Sequence, residues 1–171
     1  AADLSGLVDP DKIYMAGHSL GGVTAVALAG ARYDAAGFEA FCQTRPDELA
    51  CGILEGWGVA KTIDDKKEMQ SDLSDPRIRA FAVFDLGGTQ TFAQESVSQI
   101  DRPMLVFGAP IANSGLTLDI ESRALVEMLP AETVRYIEPS TLSHFDFMGQ
   151  CLPGGYEILE KEEPGDEMIC M

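Results

Sequence analysis

Basic residues are few in this sequence. Its 171 residues include 12 Lys and Arg against 28 Asp and Glu, for a formal net charge of −16. Nucleic acids and anionic membrane surfaces attract basic patches, so neither is expected as a partner. No apolar run approaches the roughly 20 residues that cross a bilayer, so no membrane span is expected. The length fits one domain, residues 1–171, and a hydrophobic fraction of 46% is enough for a buried core.

Histidine and cysteine are also scarce. The two histidines are far apart and the sequence contains no C-x-x-C, so we expect no metal site. The four cysteines form two local pairs, which predicts the disulfides Cys42–Cys51 and Cys151–Cys170. Disulfides persist in oxidising compartments, which favours a periplasmic or secreted protein. The alternative is four reduced thiols in a cytosolic enzyme.

The stretch MAGHSLGG contains a G-x-S-x-G pentapeptide centred on Ser19. The apolar residues 12–16 before it predict a buried strand, and the alanine-rich residues 23–32 after it predict a helix. A strand that turns at once into a helix leaves little room, which explains glycine at both flanks, Gly17 and Gly21. Such a turn exposes the serine hydroxyl and resembles the nucleophile elbow of α/β-hydrolases. The alternative is a glycine-rich turn with an incidental serine.

The rest of the chain alternates strand and helix patterns. Strands are predicted over residues 78–84, 103–108 and 133–137, and a helix over 118–129. This alternation predicts an α/β fold, a mostly parallel sheet with helices on both faces, of the α/β-hydrolase type. Residues 33–76 read as a long irregular insertion. We expect this insertion to lie over or beside an active site. The alternative is a solvent-exposed addition of helices and loops with no part in the site.

A serine nucleophile needs a base. His18 adjoins Ser19 and is expected to point away from it, packing or hydrogen bonding locally at the turn. His144 follows the last predicted strand, at the same carboxyl edge of the sheet as Ser19. We therefore predict His144 as the base, against the alternative of a solvated loop histidine.

The base needs an orienting carboxylate. Asp85 directly follows the predicted strand 78–84, and two glycines come soon after it. A carboxylate at this edge of a parallel sheet can reach an imidazole. The order Ser, Asp, His along the chain is also the order of the α/β-hydrolase fold. Asp119 and Asp101 are the alternatives, read otherwise as a helix-start carboxylate and an exposed residue.

GHSLGG, the aspartate that ends the next strand, and the late SHFDF together resemble a known group. They are similar to the bacterial "predicted dienelactone hydrolase" group and to platelet-activating-factor acetylhydrolases, over most of the chain from Val8 to about Cys170. The resemblance implies ester hydrolysis through an acyl-enzyme, with no metal or organic cofactor. True dienelactone hydrolases carry a cysteine nucleophile. Because Ser19 stands at that position, their chemistry is not carried over.

The chain also departs from that group's pattern. Only about a dozen residues precede the predicted elbow, where the fold usually has several strands, and no C-terminal helix is evident after Cys151. The chain thus resembles the C-terminal part of the fold, as a fragment, a nicked product or half of an assembly. The Leu20 N–H is expected to supply half of an oxyanion hole. A second polypeptide segment beside residues 12–16 is expected to complete the sheet and supply the other donor.

Three functions are consistent with these residues. The first is a serine carboxylester hydrolase acting on a small-molecule ester or lipid, through Ser19, Asp85 and His144. The second is an amidase or acyltransferase with the same triad. The third is a hydrolase-like binding module that has lost activity.

Overall fold

A computed structural model describes residues 6–7, 9–59, 61–162, 165 and 169–170. The segment before β1 that contains Val8 lies partly outside the described residues. The strands are β1 (Ile13–His18), β2 (Ile78–Phe84), β3 (Met104–Phe107) and β4 (Val134–Ile137). The helices are α1 (Leu20–Ala29), α2 (Ala35–Thr44), α3 (Leu49–Gly56), α4 (Ile63–Met69), α5 (Gln94–Val97), α6 (Ser122–Met128) and α7 (Gly155–Glu162). Short 3-10 helices span Thr89–Thr91 and His144–Phe147.

The four strands form one parallel sheet in the order β1-β2-β3-β4, which is also their order along the chain. Each strand therefore pairs with the next one, and a crossover connects each pair. The parallel sheet and its α/β class are confirmed. β2 has the predicted bounds of residues 78–84.

The register brings the carboxyl ends of the strands to one edge of the sheet. His18 of β1 is level with Phe84 of β2, which is the partner of Phe107 in β3, and that residue pairs with Ile137 of β4. The residues that follow these four therefore share an edge. This is where parallel sheets carry their ligand sites.

The core lies between the central strands and α1. Helix α1 packs on β1 and β2. Val26 of α1 and Val83 of β2 are both fully buried. Ala25 and Ala29 of α1 are also buried. Their small side chains allow the helix to lie close to the sheet. The helix begins at Leu20, earlier than predicted, and ends before Gly30, whose φ of 119° suits only glycine.

Three predictions about the elements were wrong. The strand at residues 12–16 was expected to be buried, but β1 is an edge strand, with Tyr14 65% exposed. The insertion at residues 33–76 is not irregular, since it contains α2, α3 and α4. Likewise α7 follows Cys151, where no helix was expected. The last two were missed because short, half-exposed helices have weak apolar periodicity.

The predicted cysteine pairing is confirmed. Cys42 of α2 is bonded to Cys51 of α3, and Cys151 is bonded to Cys170 beside α7. Two disulfides are compatible with an extracellular or periplasmic protein. Within the described part of the chain, no helix is both long and apolar enough to span a membrane.

Candidate active site

Ser19 lies in the turn between β1 and α1, in a strained backbone conformation. Its φ is 55° and its ψ is −120°, a region that non-glycine residues adopt at a cost of about 1–3 kcal/mol. The strand ladder holds it on one side, where its N–H donates to the Phe84 carbonyl at 3.0 Å. On the other side its carbonyl accepts from Gly22 at 2.9 Å, which starts the helix. The turn therefore fixes the serine between two rigid elements.

The steric reason predicted for the two glycines that flank Ser19 applies to only one of them. A Cβ at Gly17 would collide with the carbonyl of Gly21, as expected for a tight turn. A Cβ at Gly21 would meet no atom of the described residues within 4 Å beyond its own surroundings in the helix, so the steric argument for it is wrong. The second glycine that packing requires is Gly22, where a Cβ would lie 2.8 Å from the Cβ of Leu86. The sequence pattern could not separate these two neighbours.

Leu20 is the first residue of α1. Its N–H therefore has no acceptor within the helix, and it lies at the positive end of the helix dipole. Leu20 and Ser19 line the same cavity. This N–H is thus available to an oxyanion that forms next to the serine.

Asp85 occupies the equivalent position after β2. Its N–H donates to the Phe107 carbonyl at 2.9 Å, which extends the ladder by one residue, and its φ of 42° is again positive. The side chain is buried, and its Oδ2 accepts from His144 Nδ1 at 2.7 Å. Oδ1 accepts from the Ala109 N–H at 2.9 Å and lies 3.5 Å from the Ser122 hydroxyl. The carboxylate is therefore fixed from three elements.

His144 is buried at the start of the 3-10 helix after β4. The turn is closed by Ser143 and Asp146, whose carboxylate accepts the Ser143 N–H at 2.6 Å. Because Nδ1 donates to Asp85, Nε2 is the nitrogen left to accept a proton. His144 and Ser19 line one cavity, and no hydrogen bond joins their side chains within the described structure.

His18 contacts His144 directly, which corrects the expected local role. Its Nε2 donates to the His144 carbonyl at 2.8 Å, and the two ring centroids are 4.4 Å apart. Burial lowers the pKa of His18, and the neighbouring His144 lowers it further. A neutral His18 therefore supports the His144 backbone without adding a second charge. The contact between His18 at the end of β1 and the loop after β4 could not be predicted from the residues next to His18, because the two segments are 126 residues apart.

The alternative carboxylates lie elsewhere. Asp119 is exposed and pairs with Arg123 on α6, and Asp101 is exposed before β3. Two residues after Asp119 lies the buried Glu121, which the sequence analysis missed. Its carboxylate accepts the N–H groups of Gly88 and Thr89 at 2.8 and 2.7 Å, and burial raises its pKa to about 7. It holds the loop that follows Asp85.

The cavity beside Ser19 has a volume of about 440 Å³. Helix α3 supplies one wall through Leu49 and Ile53, and Trp57 directly after the helix extends it. Leu116 and Phe145 line the same space. Apart from His144, none of the described lining side chains is ionisable except the tyrosine at position 33. The insertion therefore lies beside Ser19 and makes the cavity apolar.

Comparison with protein families, curated proteins and solved structures finds no match to this chain. The resemblance to the dienelactone hydrolase group therefore depends on the sequence motifs alone.

Proposed function

We propose that this protein is a serine hydrolase that cleaves carboxylic esters through an acyl-enzyme, on an α/β-hydrolase fold. One observation carries the proposal. Ser19, strained at a strand-to-helix turn, shares a cavity with His144, whose Nδ1 is bonded to the buried Asp85 carboxylate at 2.7 Å. Along the chain the nucleophile Ser19 comes first, the orienting group Asp85 second and the base His144 third, which is the order of the α/β-hydrolase fold.

In the proposed reaction, Ser19 Oγ attacks the ester carbonyl carbon and its proton passes to His144 Nε2. Asp85 stabilises the resulting imidazolium and keeps its Nδ1–H in place. The Leu20 N–H donates to the oxyanion. When the tetrahedral intermediate collapses, the C–O bond to the alcohol breaks and His144 returns the proton to the leaving oxygen.

Water then hydrolyses the acyl-enzyme, and His144 again acts first as the base and then as the acid. His144 takes a proton from a water molecule, whose oxygen attacks the acyl carbon. The bond between that carbon and Ser19 Oγ then breaks, and His144 returns the proton to Oγ, which releases the carboxylic acid and regenerates Ser19. No metal or organic cofactor takes part in these steps. The two disulfides favour a periplasmic or secreted location for this activity.

The first test is Ser19→Ala. Without the nucleophile, we expect covalent labelling by a fluorophosphonate to disappear and ester turnover to fall to the residual level, because no acyl-enzyme can form. The measurement is labelling in gel together with hydrolysis of p-nitrophenyl butyrate. Unchanged turnover in a folded Ser19→Ala protein would falsify the proposal.

Substrate panels separate the remaining alternatives. Matched esters and anilides that share one acyl group distinguish an esterase from an amidase, and added alcohol acceptors reveal acyl transfer. A folded wild-type protein that neither reacts with the fluorophosphonate nor turns over any of these compounds would instead be an inactive binding module.

A further inference from the structure

A second cavity lies behind the first, between α2, α3 and α4. Its volume is about 560 Å³, which is larger than the 440 Å³ beside Ser19, and either volume is typical of a small-molecule site. The two cavities share five lining residues, so they are adjacent and have a common wall. These residues are Tyr33, Leu54, Val59, Met69 and Thr91.

The shared wall is mostly apolar and includes a flexible side chain. Met69 is half-buried at the end of α4 and faces both cavities. Methionine is unbranched and adapts its shape to what packs against it. A ligand that starts at Ser19 can therefore continue past Met69 when the side chain changes rotamer.

The second cavity continues the apolar character of the first. Phe38 and Pro46 line it, and the Cys42–Cys51 disulfide forms part of its wall. Five charged side chains also line it, and three of them, Glu39, Glu55 and Lys61, are exposed. Of the other two, Lys66 pairs with Glu39 at 2.9 Å, and Asp34 accepts the Gly37 N–H at 3.0 Å. The surface that the cavity offers to an alkyl chain is therefore the apolar part of its lining, formed by Phe38, Pro46 and the disulfide together with the shared residues Leu54, Val59 and Met69.

We propose that the second cavity is a subsite for the far end of a long, linear apolar chain on the ester substrate. The inference rests on the proposed function. An occupant that keeps its carbonyl at Ser19 and fills both cavities must be elongated and apolar over its whole length. The substrate class is therefore esters with a long alkyl chain, on either the acyl or the alcohol side.

Chain-length series test this subsite. For the wild-type protein, kcat/KM for p-nitrophenyl dodecanoate should exceed that for the butyrate by about tenfold or more, because each buried methylene adds binding. Dodecyl acetate against butyl acetate is the matching arm for the alcohol side. A preference in either series supports the subsite and identifies the side that carries the chain.

A paired substitution on α2 locates the effect. Ala35 lines the second cavity, whereas Ala40 on the same helix is exposed and lines neither cavity. Ala35→Phe should lower the ratio of long-chain to short-chain kcat/KM by about tenfold, while Ala40→Phe should leave that ratio at the wild-type value. Equal ratios in the two variants would show that the alkyl chain of the substrate does not bind in the second cavity, which contradicts the proposed subsite.

A binding measurement separates this inference from catalysis. Trp57 is the sole tryptophan of the sequence and lines the first cavity, so its fluorescence reports occupancy. In Ser19→Ala protein, dodecanol should change this fluorescence at concentrations at least about tenfold below those needed for butanol.

The combined outcomes are distinct. Labelling of wild-type Ser19 with no chain-length preference and no dodecanol response would overturn the subsite and leave the proposed function standing. Dodecanol binding without labelling or turnover would support the apolar subsite and overturn the hydrolase.

Discussion

Two residues of the site show opposite solutions to burying a carboxylate. Asp85 is buried with a partner on each oxygen, and one of these partners is the His144 ring. Glu121 is buried too, but its partners are backbone N–H groups, and desolvation raises its pKa to about 7. The first arrangement fixes a carboxylate where it can orient the His144 ring, and the second favours a proton on Glu121.

For Asp85, the expected result of Asp85→Asn is a fall in kcat by several orders of magnitude, on the order of 10⁴. An amide can donate to Nδ1 and stabilise the wrong imidazole tautomer, in which Nε2 carries the proton and cannot accept one from Ser19. Asp119→Asn is the matched control and should change kcat little, since Asp119 is exposed and pairs with Arg123. Steady-state kinetics on one ester suffices, and a reversed result would assign the orienting carboxylate to Asp119.

For Glu121, the stability of the protein should depend on pH in a predictable direction. The folded carboxyl holds its proton up to about pH 7, whereas the unfolded one loses it near 4.5. The folded state thus binds more protons in this window, so its contribution to the free energy of unfolding falls as pH rises from about 4.5 to 7. The total decrease from this group is on the order of 3 kcal/mol.

Urea unfolding of the wild type and of Glu121→Gln at several pH values measures this difference. Glutamine keeps an oxygen acceptor for the Gly88 and Thr89 N–H groups and does not titrate. The variant should gain stability relative to wild type between about pH 4.5 and 7 and keep that gain at higher pH. Parallel curves for the two proteins would show that the pKa of Glu121 is the same in the folded and unfolded states, which would contradict the prediction.

At the scale of elements, the insertion does more than cover the sheet. Helix α3 lines the cavity beside Ser19, and the Cys42–Cys51 disulfide holds this helix to α2. The Cys151–Cys170 disulfide instead holds α7, which has no residue in either cavity wall. The two disulfides close loops of different length, with sequence separations of 9 and 19, and only the first lies at the cavities.

Removing each disulfide by paired serine substitutions should separate stability from substrate binding. Each pair should cost about 2–3 kcal/mol of unfolding free energy, as expected for loops of these sizes. Cys42→Ser with Cys51→Ser should also raise KM for long-chain esters, because α3 loses its link to α2. Cys151→Ser with Cys170→Ser should leave KM unchanged, and equal KM values in both variants would contradict the proposed link.

The whole molecule shows which parts of a site a sequence can predict. Strand β2 and the residue that ends it follow from a run of buried apolar residues, so Asp85 could be placed at the sheet edge. The turn at Ser19 follows from its local glycines. The contacts of His18 with His144 and of Ser122 with Asp85 join segments far apart in the chain, 126 and 37 residues respectively. Local patterns carry no information about such pairs.

The position of α2, α3 and α4 between β1 and β2 has a consequence for how the molecule folds. These strands are neighbours in the sheet, yet the whole insertion separates them in the chain, so their pairing must close a long loop. Parallel pairing across such a loop is intrinsically slow. The β2-β3-β4 unit has shorter connections and can form first. The strand β1, which directly precedes Ser19, would then dock last. The strained turn at Ser19 would therefore form only when the rest of the sheet is complete.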